Sequence, residues 1–170
     1  MKRFVFCVVI GLCITAGLCG GRQASAQSKD EQQIKANGDM FASAVKAKDV
    51  DRIMKFYVPT PDLFVFDMGV PRQYQGWDDY KKEWQDLFAT IKGPVNFEVQ
   101  DMQVQSDGKF AFSHSIQHGS WIGANGNPVE IMARVTDVYL KVEGKWLITQ
   151  EHVSVPINMA TGKADMLSQP

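Results

Sequence analysis

The chain has 170 residues, of which 45% are hydrophobic, and carries 18 Lys and Arg against 19 Asp and Glu. These totals exclude collagen-like, coiled-coil and disordered classes, and the length suffices for one domain with its own stable core. The charge balance offers no basic surface of the kind that nucleic acid or an anionic membrane requires, so neither is expected as a partner.

The first 26 residues are predicted to be a secretory signal peptide. Lys2 and Arg3 precede an uncharged, mostly apolar run over 4–18, and 24–26 reads Ala-Ser-Ala, as at a cleavage site. The run is shorter than the roughly 20 apolar residues of a membrane span, although an uncleaved anchor is the alternative. Cleavage would remove all three cysteines and leave 144 residues with a net charge of −4. We therefore expect a periplasmic or secreted domain that is free of the membrane and of disulfides.

Three helices are predicted in the first half of the chain. Ser28 and Glu31 have the spacing of a capping box, and the helix they begin extends to about Lys48. Asp49 caps a short second helix. A strand follows over 63–67, then a turn-rich stretch, and large apolar residues spaced by three and four predict a third helix over 77–91.

The chain from there to residue 157 is predicted to form strands. Segments 95–105, 109–122, 129–142 and 145–155 are separated by glycine-containing turns. Near Gln100 and Asp101 the apolar residues change parity, which predicts a β-bulge that bends the sheet. Helices followed by a long, bent antiparallel sheet predict an α+β fold in which the sheet encloses a pocket, and the polar tail over 159–170 is expected to pack poorly.

Segments 45–57, 67–76, 133–141 and 144–156 resemble the ketosteroid-isomerase-like, SnoaL-like members of the nuclear-transport-factor-like superfamily, with the likeness covering 31–157. The resemblance implies a cone-shaped α+β barrel, with three N-terminal helices packed in a strongly bent, mostly antiparallel sheet. It also implies a deep apolar pocket and a homodimer, in a superfamily of isomerases, cyclases, dehydratases and members without a known reaction. The expected organisation is a signal peptide over 1–26, a SnoaL-like domain over 27–158 and a flexible tail over 159–170.

The resemblance also assigns roles to single residues. Asp67 falls where the isomerases keep the carboxylate base, and Asp137 where they keep a protonated aspartic acid that donates to the enolate oxygen. Tyr57 matches a supporting tyrosine. Phe41 stands where the tyrosine that donates directly to the oxyanion is expected, and losing such a donor typically costs about 100- to 1000-fold in rate. The alternatives are a turn carboxylate for Asp67 and a cross-strand salt bridge for Asp137.

Two histidines are further candidates. His114 and His118 share a strand face with Phe112 and Ile116, and the resemblance turns that face into the pocket. Four residues along a strand span about 13 Å, too far for two ligands of one ion, so we expect no metal site. No cofactor is expected either. His114 is a candidate acid, base or hydrogen-bond donor, with a satisfied core histidine as the alternative.

The last strand is polar on both faces. The resemblance points Glu151 inward, whereas Arg134 and His152 lie on the opposite face, and the sequence leaves open which face lines the pocket. A dimer interface or a structural hydrogen-bond role is the alternative for these polar groups. Trp84 and Val135 complete the predicted pocket wall.

Two functions follow from these residues. The first is binding of a small apolar molecule in the pocket, which Phe41 favours because it lacks a hydroxyl. The alternative is a proton-transfer enzyme, isomerase or dehydratase-like, acting on a small carbonyl compound with Asp67 as general base.

Overall fold

The computed structural model describes residues 28–168, so the predicted signal peptide lies outside the described residues. Helix α1 covers Lys29–Lys46, α2 covers Val50–Ile53 and continues as a 3₁₀ turn over Met54–Phe56, and α3 covers Trp77–Thr90. The Ser28 side chain accepts from the Glu31 amide at 3.2 Å and the Glu31 carboxylate accepts from the Ser28 amide at 3.2 Å, which is the predicted capping box. The three predicted helices are confirmed.

Six strands form one sheet. They are β1 (Phe64–Phe66), β2 (Gln73–Gln75), β3 (Lys92–Ser106), β4 (Phe110–Ile122), β5 (Pro128–Val142) and β6 (Lys145–Ser154). Their order is β2-β1-β6-β5-β4-β3, and every pair is antiparallel except β1 with β6. Strand β2 was predicted as part of a turn-rich stretch, because three residues, one tyrosine between two glutamines, are too few to establish a strand pattern.

The sheet is strongly bent and curves around the helices, which confirms the cone-shaped α+β fold. It does not close into a barrel, since β2 and β3 are its two edges. One bend is the predicted bulge in β3, where the register shifts between Gln100 and Gln103 and Asp101 has φ of 52°. A second, unpredicted bulge inserts Thr149 into β6, because Tyr139 pairs with Ile148 whereas Val138 pairs with Gln150.

Strand β4 turns to the helices the opposite face from the one predicted. Its buried residues are small: Ala111, Ser113, Ser115 and Gly119. Large helix side chains and Trp121 already occupy the interior, and a Cβ at Gly119 would come within 3.1 Å of the Trp121 ring. The inward orientation expected for His114, His118, Phe112 and Ile116 is therefore wrong, and these four lie on the convex face.

The C-terminal segment contains a short hairpin that the sequence did not predict. Strands β7 (Ile157–Asn158) and β8 (Lys163–Ala164) form a hairpin. The Met132 amide then donates to the Met166 carbonyl at 2.7 Å, and Met166 packs against the cluster of Ile131, Ala133 and Val135. The hairpin returns the chain to β5 at Met166, whereas most of the tail over 159–168 is exposed, so the poorly packed tail stays a prediction. Within 28–168, no helix combines the length and the apolar character needed to cross a membrane.

Candidate functional site

A cavity of about 230 Å³ lies between α3 and the concave face of the sheet. Apolar and aromatic side chains make most of its wall, and an exposed rim is formed by Met68 and Gly69 of the β1–β2 turn. The remaining lining residues are Phe41, Val45, Asp67, Tyr80, Glu83, Trp84, Leu87, Phe88, Ile91, Val95, Phe97, Gln117, Gly119, Trp121, Ile131, Ala133, Glu151 and Val153. Such a mostly apolar wall with a few polar groups is typical of a small-molecule site.

Glu151 is the most deeply buried acid of this cavity, with 3% of its surface exposed. Tyr57, which follows the 3₁₀ turn, donates its hydroxyl to Oε2 at 2.8 Å, and Tyr80 of α3 donates to Oε1 at 2.7 Å. Burial raises the pKa of Glu151 well above its usual value and the charge of Asp137 raises it further, whereas the two tyrosine hydrogen bonds oppose this rise. Burial therefore favours the protonated form of Glu151.

Asp137 lies directly opposite Glu151 in the β5–β6 register and is 5% exposed. Its Oδ2 accepts from the Tyr139 hydroxyl at 3.0 Å and from Ser113 Oγ at 3.3 Å. Burial raises the pKa of Asp137 to about 6, while hydrogen bonds from Tyr139, Glu151 and Ser113 lower it. Because a negative charge on Asp137 disfavours a second charge beside it, Glu151 and Asp137 titrate as a pair rather than independently.

A second, much smaller cavity of about 30 Å³ lies on the Asp137 side of this pair. Asp137, Ser115 and Asn37 are among its lining residues, and Glu151 lines both cavities. Oδ1 of Asp137 is buried and accepts no hydrogen bond from a hydroxyl, amide or ring N–H of residues 28–168. The volume accommodates a buried water, and the polar lining supplies partners for one. Glu151 thus lines the large cavity directly, whereas Asp137 lies on the far side of Glu151 and does not line it.

Phe41 sits at the centre of the site and lines both cavities. Its ring meets the rings of four other aromatic residues edge-on, with centroids 5.9 to 6.4 Å apart: Phe56, Tyr57, Trp84 and Phe97. The hydroxyl that the resemblance expects at this position is absent, as predicted, but three other tyrosines supply hydroxyls to the carboxyl pair. Tyr57 was predicted to support the hydrogen-bond network, and its hydroxyl donates to Glu151.

Sequence reasoning missed the roles of Tyr80, Tyr139 and Ser113. Tyr139 follows Asp137 by two residues, so strand alternation alone places both on one face. Tyr80 belongs to the apolar stripe of α3, and nothing in its spacing distinguishes a hydrogen-bonding tyrosine from core. Ser113 lies on the buried face of β4, which was predicted to point outward because the opposite face is more apolar.

Asp67 and Trp84, two of the predicted residues, line the large cavity. Asp67 follows β1, is half-buried, and accepts from the Gly69 amide at 3.3 Å. The indole ring of Trp84 forms part of the wall, and its buried Nε1 has no acceptor among residues 28–168. Val135 is buried on the concave face but belongs to the neighbouring cluster around Ile131.

Comparison with known proteins identifies the family. A sequence model described as the SnoaL-like domain matches residues 34–158, which is well over half of the chain. The chain belongs to the SnoaL-like domain family. A search among curated proteins gave no significant match.

Solved structures share the fold of this SnoaL-like domain. An NTF2-like protein of unknown function from Pseudomonas putida KT2440 is similar over 83% of this chain and 96% of its own, with 26% identity and a TM-score of 0.73. An NTF2-like superfamily protein from Salmonella enterica Typhimurium LT2 has 14% identity and a TM-score of 0.69 over 79% and 96%. A ketosteroid isomerase-like protein from Erwinia carotovora has 19% identity and a TM-score of 0.63 over 75% and 96%.

The other predicted site residues lie on the convex face of the SnoaL-like sheet. His114, Arg134 and His152 are exposed there, and His118 Nε2 lies 2.8 Å from Glu130 Oε1. With Phe112 and Ile116, they stand away from both cavities. The sequence left open whether Glu151 or His152 lines the pocket, and the structure places Glu151 there.

Proposed function

We propose that this exported SnoaL-like protein binds one small, largely apolar molecule in the cavity between α3 and the sheet. The observation that carries the proposal is the cavity of about 230 Å³, whose aromatic wall contains the buried Glu151 carboxyl. Apolar surface supplies most of the binding free energy for such ligands, and a few placed polar groups orient them. A polar atom of the ligand would accept a hydrogen bond from protonated Glu151.

The proposal is tested by filling the cavity. Calorimetry with the neutral probe 2-phenylethanol should show binding to the wild type, and Ala133→Leu should weaken it at least about tenfold because the new side chain occupies cavity volume. Ala36→Leu, at an exposed position of α1, is the matched control and should bind like the wild type. Far-UV circular dichroism checks that both variants fold. Equal affinity in all three proteins would exclude this cavity as the site.

A second candidate is proton transfer, and one observation favours it: Asp67 and Glu151 line the same cavity. Asp67 would remove a proton from the carbon next to a carbonyl, and Glu151 would donate its proton to the carbonyl oxygen as the enol forms. Asp67 then returns its proton to a more distant carbon while the enol hydroxyl gives its proton back to Glu151, which completes an isomerisation and restores both acids. Glu151 thereby takes the role that the resemblance gave to Asp137, since Asp137 stands behind it.

Isomerisation of 3-cyclohexenone to its conjugated isomer tests this candidate. Wild type should exceed the buffer rate, and Asp67→Asn should reduce turnover to that rate because an amide cannot accept the proton. Asp79→Asn, an exposed acid on α3, is the control and should retain wild-type turnover. Identical rates for wild type and Asp67→Asn would overturn the enzymatic candidate while leaving binding intact.

The proposal includes a homodimer formed through the convex face of the sheet. Phe66, Phe110 and Phe112 are 37%, 48% and 43% exposed there. Exposed aromatic residues on one sheet face are typical of an interaction surface, and a second copy of the chain covers such a face symmetrically.

A further inference from the structure

The charged residues that line the large cavity are all acidic. Asp67, Glu83 and Glu151 contribute carboxyl groups, and the lining contains no Lys, Arg or His. Among residues 28–168, no salt bridge joins Asp67 or Glu83 to a basic side chain. The cavity therefore has negative charge that the described protein does not neutralise.

Two of these acids lie together beside the same tyrosine. Glu83 accepts a hydrogen bond from Tyr74, and burial raises the pKa of that tyrosine, with the charges of Glu83 and Asp67 raising it further. Asp67 and Glu83 are half-buried, whereas Glu151 is deeply buried and burial raises its pKa well above the usual value. The cavity thus has an anionic side next to Tyr74 and, at Glu151, a side where burial favours the neutral carboxyl group. Like charges along a low-dielectric wall concentrate the potential and attract a ligand of opposite sign.

The aromatic wall suits the same ligand. Trp84, Phe88 and Trp121 line the cavity, and the rings of Trp84 and Phe88 lie 5.5 Å apart. The faces of such rings attract organic cations as well as apolar carbon, with tryptophan the strongest. An anionic ligand would meet repulsion from both half-buried carboxylates, and a neutral ligand would leave their negative charge unbalanced.

We infer that the cavity takes a small organic cation, an amine or ammonium group on an apolar body. The inference rests on the proposed binding function and names its ligand class. The cationic group lies near Asp67 and Glu83, and the apolar body lies against the tryptophan and phenylalanine rings. If the two acids merely occupy a solvated rim, no preference for cations exists.

Calorimetry with three single-ring probes tests the inference on the purified protein at pH 7. The probes are 2-phenylethylamine, 2-phenylethanol and phenylacetate, which are cationic, neutral and anionic. We expect the amine to bind at least about tenfold more tightly than the alcohol and phenylacetate to show no binding. Raising the salt concentration from about 0.05 M to about 0.5 M should weaken binding of the amine more than binding of the alcohol.

Two variants test whether Asp67 and Glu83 cause the preference for the cationic probe. Asp67→Asn and Glu83→Gln should each lower the ratio of amine affinity to alcohol affinity several-fold. Asp79→Asn is the control for Glu83, because it lies one turn earlier on α3 but is exposed and outside the cavity. That variant should keep the wild-type ratio.

The outcomes separate the two proposals. Binding of alcohol and amine with equal affinity would overturn the cation inference and leave the proposed binding function in place. A preference that survives both Asp67→Asn and Glu83→Gln would also overturn the inference. Failure of all three probes to bind would contradict the proposed binding function, and the inference with it.

Discussion

Glu151 and Asp137 lie directly opposite each other on β6 and β5, and both carboxyl groups are buried on the concave face of the sheet. Four hydroxyl hydrogen bonds, two to each group, hold the pair in place. Two ionised carboxylates buried side by side would repel strongly. Burial and the neighbouring Asp137 charge therefore favour the protonated form of Glu151.

This pair makes stability depend on pH in a definite direction. Asp137 has a pKa of about 6 in the folded protein and about 4 when unfolded. Between these values the unfolded chain has released a proton that the folded protein still binds, so the free energy of unfolding falls as pH rises. For Asp137 alone the loss is about 3 kcal/mol, and Glu151 continues it at higher pH. Urea unfolding of wild type and Asp137→Asn from pH 4 to pH 8 measures the difference.

The asparagine variant should lose less stability over this range than the wild type, because it has no proton to release at position 137. Asp79→Asn, with an exposed carboxyl, should follow the wild-type curve. If the wild type instead gained stability relative to Asp137→Asn between pH 4 and pH 6, the pKa of Asp137 would not be raised.

Tyr80→Phe should destabilise the protein by about 1 to 3 kcal/mol, since it removes the hydroxyl that donates to Glu151 Oε1 and leaves a buried oxygen without that donor. Tyr57→Phe should behave in the same way through Oε2. Tyr74→Phe is the control, because that hydroxyl bonds to half-buried Glu83 instead. Urea unfolding at pH 7 gives the comparison, and equal stability of Tyr80→Phe and wild type would argue against the network.

Phe112→Glu should convert the proposed homodimer to a monomer, because the charge would be buried in an apolar interface. Sedimentation velocity of wild type and variant measures the mass. Asp101→Asn, at the exposed bulge of β3, is a control that should leave assembly unchanged. A monomeric wild type at all concentrations would remove the dimer from the proposal.

Expression of the full chain in a bacterium with a Sec pathway should yield a periplasmic or secreted protein whose first residue is Gln27. Amino-terminal sequencing of the recovered protein checks the cleavage position. Replacing Ala26 by a bulky residue such as Phe should block processing, because signal peptidase requires small side chains there. A cytoplasmic product that begins at Met1 would contradict the signal-peptide prediction.

Local signals in the sequence were sufficient for the three helices and the four long strands but not for β2 or the bulge in β6, and long-range pairing determined the site. The capping box of Ser28 and Glu31 predicted the start of α1, and the change in the parity of apolar residues near Asp101 predicted the bulge of β3. The orientation of β4 could not be predicted from its pattern, because Phe112 and its neighbours on the convex face are more apolar than the buried serines. In a sequence pattern, apolar residues that a second copy of the chain would cover cannot be distinguished from residues that face the core.

The partnership of Glu151 with Asp137 was also hidden, since it depends on the register between two strands. Tyr80 reaches the same carboxyl from α3, about 70 residues earlier in the chain. Such contacts follow from how the sheet curves around the helices, and no spacing within one segment encodes them. The resemblance supplied Asp67 and Tyr57, but it assigned the donor role to the acid that stands behind the cavity.

Ile148 and Glu151 both face the helices although they are three residues apart, a spacing that a regular strand gives to opposite faces. Thr149 is the extra residue of the bulge, and it shifts the alternation of side chains between the two faces of β6 by one residue. The first half of β6 can therefore serve the hydrophobic core and the second half the cavity. A homologous chain without this insertion would keep an acid at the cavity only if the acid followed the isoleucine by an even number of residues.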